Sequence, residues 1–258
     1  MSHSPAVVAL ALALALAVGL LVIRPVAFAY TRPEDDPVPD ATCPHCSAAV
    51  LGKGATPGAY MALVLRRRCA ACGSVGPDGT AQRPGPPLLA PEGLAVVGTA
   101  AMLAAGANGV VLAAQLWLVA VGAVLVLTDF AVHRMPDHLT AAAGIGVGFL
   151  LTASAFASGR WGPLLLAAVA AFGLGFMYFV LALFGQGLGD AKLVPGLAAL
   201  VTWQYWFGSF YAVFLACVLG IVQWIVMKVA FPATTRKTEL MLGPALITGF
   251  LTVSACLG

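Results

Sequence analysis

The sequence predicts an all-α, polytopic membrane protein of about eight transmembrane helices, with a cysteine-bearing loop after the first. Three observations carry this. Of 258 residues, 61% are hydrophobic and only 9% charged, where a soluble domain carries roughly a quarter charged. The mean hydropathy is +0.97, and the apolar stretches approach or exceed the roughly 20 helical residues that cross a bilayer. Those stretches are unbroken instead of alternating, which argues against a membrane β-barrel. The net charge of +3 is small; no nucleic-acid partner is expected, and the placement of the charges says more than their sum.

The first crossing, within residues 1–30, is the apolar run from Ala6 to Ile23. It resembles an export signal, and "AFA" at 27–29 resembles a cleavage site, but no Lys or Arg precedes Arg24. Basic charge after the helix instead of before it favours a retained helix with its N-terminus outside. Residues 31–87 form the one extended polar region, with an acid-and-proline stretch, four cysteines and "RRR" at 66–68. From Leu88 to Gly258 the chain is a membrane core. "AGANG" at 105–109 is a natural turn, so two crossings fit there, about 88–105 and 109–128. The fourth follows "HRMPDH" and runs to about Ala157, and the fifth spans about 163–184. The sixth, seventh and eighth cover about 190–203, 207–228 and 240–257.

The basic residues test this order. With eight crossings and an outside N-terminus, Arg24, Arg32, Lys53, Arg66, Arg67, Arg68, Arg83, Arg134, Lys192, Lys228, Arg236 and Lys237 all fall on the cytoplasmic side; Arg160 alone falls outside. That asymmetry is the signature of cytoplasmic loops. It puts the cysteine loop, "TDFAVHRMPD" and "GQGLGD" on one face. Trp203, Tyr205 and Trp206 then read as an interfacial belt on the other.

Acids are scarce in the core. After Glu92 there are Asp129, Asp137, Asp190 and Glu239. Ionisable groups on membrane helices are costly and point to function. Asp129 ends one crossing and Asp190 opens another at the same face, so folding can bring them together. Two close aspartates share a proton: one takes a proton from water while the other protonates a peptide carbonyl, which hydrolyses an amide without a covalent intermediate. Gly185, Gly187 and Gly189 free the backbone beside Asp190 for a substrate strand, and the start of a helix there offers positive potential to a carboxylate. Plainer readings stand beside this one. Asp190 can be a helix cap, as Asp137 in "MPDHLTAA" is expected to be, and Asp129 can pair with His133 or Arg134 at a solvated helix end.

The cysteines form "CPHC" at 43–46 and "CAAC" at 69–72, two C-x2-C pairs separated by 22 residues. Cys43, Cys46, Cys69 and Cys72 suit tetrahedral zinc, and a cytoplasmic loop argues against structural disulfides. Redox pairs or unligated thiols are the alternative. His45 is read as a bystander. Cys217 and Cys256, in apolar helices, are read as packing residues.

"GLGDAKL" resembles the G-x-G-D motif of the type IV prepilin peptidases, intramembrane aspartyl proteases related in motif to archaeal preflagellin peptidases and more distantly to presenilin. "LTDFAVHRMPDHLT" is similar to their first motif, an aspartate followed seven and eight residues later by Pro-Asp, here Asp129, Pro136 and Asp137. "MLGPAL" shares Gly243 and Pro244 with a third segment. The resemblance implies that Asp129 and Asp190 are the catalytic pair, that Gly187, Gly189 and Asp137 are motif positions, and that Lys192 orients Asp190 or a substrate carbonyl. It implies removal of the basic leader from type IV pilin-like precursors at the cytoplasmic face of a bacterial inner membrane, in pilus or type II secretion systems. Some members also N-methylate the new N-terminus with S-adenosylmethionine. Here the family's stretch at the end of the first helix is replaced by "AVGLLVIRPVAFAY", and Ser47 stands where a Gly is usual after the first cysteine pair, so the sequence leaves methylation open. The rival classes are a transporter or proton pathway using the two aspartates, and an assembly factor whose metal loop docks a partner.

Overall fold

A computed structural model of the chain describes residues 4–30, 43, 46–49, 56–62, 69–73, 90–106, 109–132, 135–184, 187–230 and 242–257. His45, Arg66–Arg68, His133, Arg134, Gly185 and Glu239, singled out above, lie outside them. The described residues are helix and turn, with no strand. The helices are α1 (Pro5–Val18), α2 (Arg24–Tyr30), α3 (Pro57–Met61), α4 (Ala90–Ala104), α5 (Gly109–Val132), α6 (Asp137–Ser158), α7 (Trp161–Leu183), α8 (Leu188–Gln204), α9 (Gly208–Ala230) and α10 (Leu242–Leu257). A π-helical turn, Gly19–Ile23, joins α1 to α2. Five spans are long and apolar enough to cross a membrane: Pro5–Ala27, Gly109–Phe130, Asp137–Ser158, Trp161–Leu183 and Gly208–Val226. The all-α membrane class of the sequence reading holds. Three of the expected crossings, α4, α8 and α10, are shorter, at 15, 17 and 16 residues.

Helix boundaries follow local chemistry. Ser4 caps α1, its Oγ accepting from Val7 N, with Pro5 at the first helical position, where a missing N–H costs nothing. Gly159 closes α6 in the left-handed region at φ 70. Pro136 and Gly187 stand in extended conformation before α6 and α8, so each chain segment enters its helix at a defined angle.

α8 is the centre of the bundle. Eleven of its 17 residues are buried, whereas the 23-residue α7 that packs along it buries only Ala167 and Tyr178. α7 therefore turns Phe172 and Phe176 outward to the bilayer. Leu193, Val194, Leu197, Leu200 and Val201 of α8 meet Leu125 of α5, Val147 and Leu151 of α6, Ala216 of α9 and Phe250 of α10. In lipid, helices associate by close packing of small residues and not by expelling water. A Cβ on Gly196 would lie 2.8 Å from Gly144 Cα, and one on Gly249 would lie 2.9 Å from Ala216 Cα. These contacts seat α6 on α8 and α9 on α10 with backbones nearly touching.

A second cluster, Ile23, Ala27, Ala95, Ala123, Val124 and Leu127, joins the first crossing to α4 and α5. Beside it Arg24 and Glu92 form an ion pair of 2.7 Å with side chains 6% and 4% exposed. At the end where α6 and α8 finish, the guanidinium of Arg160 lies 5.2 Å from the Trp203 ring centroid.

Two sequence expectations are corrected here. Trp203 is buried beneath Arg160 instead of joining the interfacial belt, although Tyr205 and Trp206 are exposed as expected. Cys217 and Cys256 lie on outward surfaces and do not pack in the core.

Candidate active site

α5 carries Asp129 to within three residues of its end at Val132. The preceding Thr128 is buried and its hydroxyl donates to Leu125 O at 2.9 Å, so its polar group is satisfied within the helix. Asp129 itself is 7% exposed. The link to α6 is short, and Pro136, not Asp137, takes the capping position; Asp137 is the first helical residue and makes no side-chain cap. Its carboxylate instead binds Lys192 Nζ at 2.6 Å, on an exposed surface. This pair ties the start of α6 to the start of α8.

α8 begins at Leu188, two residues earlier than the sequence suggested, with Gly187 as its cap. Asp190 is thus the third helical residue and not the cap, its N–H donating to Gly187 O at 3.2 Å. It too is 7% exposed. Pro195, one turn on, lacks the N–H that would bond back to Ala191, which loosens the helix next to this carboxylate. The Tyr178 phenol on α7 lies within electrostatic reach of Asp190.

The ends of α5, α8 and α10 meet around one side chain, Met135. A Cβ on Gly189 would lie 2.8 Å from Met135 Cβ and 3.2 Å from its Sδ. A Cβ on Gly243 would overlap Met135 Cε and come within 3.0 Å of Asp129 Oδ2. Any side chain at these two motif glycines would displace Met135: one glycine lies beside Asp190 in sequence, the other against Asp129 in space. Gly187 is different. A Cβ there would meet Asp190 Oδ2 at an ordinary 3.9 Å, and its φ of −62 suits any residue. The sequence reading noted Gly243 as a matching position but gave it no role, and missed Met135. Gly243-Pro244 in "MLGPAL" was the available signal for the former; nothing in the sequence singles out the latter.

The structure thus sets two buried acids at helix ends, Asp129 in the last turn of α5 and Asp190 in the first of α8, with Met135 packed against the glycine next to Asp190 and reaching Asp129. The model of the type IV leader peptidase family matches residues 96–225, half of the chain. The chain belongs to the type IV leader peptidase family. No curated protein and no solved structure matches it significantly. The matched stretch contains Asp129 and Asp190; the cysteine loop and Gly243 lie outside it. Membership makes the protein a peptidase with a protein substrate, and its apolar spans place it in a lipid bilayer.

Away from the aspartates, the peptidase gathers Cys43, Cys46, Cys69 and Cys72 so that all four Sγ atoms lie within 4.8 Å of one another. Cys43 and Cys72 are 3.7 Å apart, Cys46 and Cys69 3.6 Å. A disulfide needs about 2.05 Å; four sulfurs held about 2.3 Å from a central zinc stand about 3.8 Å apart. The two C-x2-C turns are built alike. Ser47 N donates to Cys43 O and Gly73 N to Cys69 O, both at 2.9 Å, and each donor has positive φ, 56 at Ser47 and 62 at Gly73. That region favours glycine, which explains why Ser47 is the odd residue of the two. Desolvation works to raise the Cys69 thiol, but N–H groups of Cys72 and Ala71 and the thiols of Cys46 and Cys43 bring it down to about 7. At Cys46 the Ala48 N–H pulls down, and desolvation with hydrogen bonds to Cys72, Cys69 and Cys43 overrides it, up to about 12. The Cys69 thiolate forms readily and the Cys46 thiol resists, so loading a cation here expels protons.

Proposed function

We propose that this protein is an intramembrane aspartyl endopeptidase that removes the basic leader of type IV pilin-like precursors at the cytoplasmic face of the bacterial inner membrane. Asp129 and Asp190 are the catalytic pair. With one proton between them, the ionised carboxylate takes a proton from water as its oxygen attacks the scissile carbonyl carbon. The protonated one gives its proton to the carbonyl oxygen. Collapse of the tetrahedral diol breaks the C–N bond, and the departing nitrogen receives the proton first taken from water. Gly189 and Gly243 place no side chain of their own at the approach to the carboxylates, where Met135 packs against them. Asp137 and Lys192 hold the mouth together as an ion pair.

The observation that carries this reading is the meeting of Gly243, Met135 and Gly189 around Asp129 and next to Asp190, inside a chain of the leader peptidase family. A transporter would use acids near the middle of broken helices; these two sit at the last turn of α5 and the first of α8. The basic leader stays in the cytosol while the apolar pilin segment lies in lipid, which brings the scissile bond to that height. In this arrangement residues 1–30 anchor the chain, 31–87 form a structural zinc loop on Cys43, Cys46, Cys69 and Cys72, and 88–258 hold the protease. N-methylation with S-adenosylmethionine stays outside the proposal, because the end of the first crossing departs from the two-activity pattern.

The test is incubation of the purified, detergent-solubilised protein with a pilin-like precursor, followed by mass analysis. Wild type yields the leader and the mature chain. Asp129→Asn and Asp190→Asn, still inserted and folded, yield neither. Cleavage by either variant at the wild-type rate overturns the assignment.

A further inference from the structure

We propose that Met135 determines the size of the substrate side chain admitted beside the scissile bond. This rests on the aspartyl protease reading above. Where they meet Met135, α8 and α10 present glycine: the space that a side chain at Gly189 or Gly243 would take is occupied by Met135. Its Cβ and Sδ lie against Gly189, and its Cε reaches the position of a Gly243 side chain, next to Asp129 Oδ2. Both aspartates are buried and Met135 only partly so, which leaves the thioether, adjacent to Asp129 Oδ2 and to Gly189, on the outer side of the pair.

The residue is built as an adjustable wall on a fixed stem. Pro136 holds the backbone extended at the entrance to α6, and its carbonyl accepts from Leu139 N at 3.0 Å and Thr140 N at 3.1 Å. The ion pair between Asp137 and Lys192 fastens that turn to α8. Methionine's unbranched chain then moves by rotation alone and its sulfur is polarizable. It yields to a small substrate residue and collides with a large one. Lengthening or shortening this one side chain changes the volume left for substrate and leaves both carboxylates in place.

The experiment measures kcat/KM on two precursor series in full-length protein, one varying the residue before the cut (Ala, Leu, Phe) and one the residue after it. Met135→Ala raises the large-to-small ratio about tenfold or more in one series, the range a missing methylene or two controls in an apolar pocket. Met135→Phe lowers the same ratio by a similar factor, and Met135→Leu shifts it measurably, by about threefold. Circular dichroism and thermal melting establish which variants fold, and Met135→Leu serves if the other two do not. Ratios unchanged in both series, whether total activity is kept or lost, overturn the proposal. Asp129→Asn is run alongside: if it cleaves at the wild-type rate, the protease assignment fails whatever the Met135 variants do.

Discussion

The cysteine cluster and the aspartate cleft gather their side chains by opposite means. Four thiols come from short turns in a polar loop, held at 3.6 and 3.7 Å by geometry that suits a cation. Two carboxylates come from helix ends, the last turn of α5 and the first of α8, carried there by packing around α8. The first site is local: two copies of one turn, each closed by its own backbone hydrogen bond. The second is global, since moving α5, α8 or α10 moves it. Damage to one should therefore leave the other working.

The largest expected effect falls on the cleft. Asp129→Asn lowers cleavage by about a thousandfold, within the range of general acid–base catalysis, while metal content by elemental analysis stays at the wild-type level. Gly243→Ala, which forces Met135 and the Asp129 carboxylate apart, lowers kcat/KM by about a hundredfold, as small misplacements do, with the melting temperature little changed. Cys69→Ser reverses the pattern. The metal is lost and the loop becomes sensitive to protease, while cleavage stays within about threefold if the cleft is independent as argued. The same loss follows acidification. Ligation needs thiolate, so the apparent zinc affinity falls as pH drops and falls more steeply below about 7, where Cys69 becomes protonated. Ser47→Gly relieves the positive φ and tightens the first turn by about 1 kcal/mol, read as slower metal release to a chelator. Lys192→Ala is the mildest: the pair is exposed, and its loss costs under about 1 kcal/mol of stability.

Much of the helical plan was legible because it is written in local chemistry. Gly and Pro at 105–109, 136, 159 and 187 punctuate apolar runs, and the helices α4 to α8 begin or end within a few residues of those marks. The thiol cluster was legible from spacing alone. What was hidden is tertiary. A tryptophan near a helix end suits either a lipid interface or a core, and only the arrival of Arg160 decides for Trp203. Asp137 after a proline looks like a cap, yet Pro136 already occupies that place and the carboxylate goes to Lys192, more than fifty residues away. Met135 is invisible for the same reason: its meaning comes from two glycines on two other helices.

The central claim is that Asp129 and Asp190 act as one unit. Cleavage rates of Asp129→Asn, Asp190→Asn and the double variant under single-turnover conditions test it most directly, because residues that work together lose activity together. The account predicts that each single variant falls to the residual rate of the double. A single variant that keeps substantial activity, or losses that multiply in the double, would contradict it.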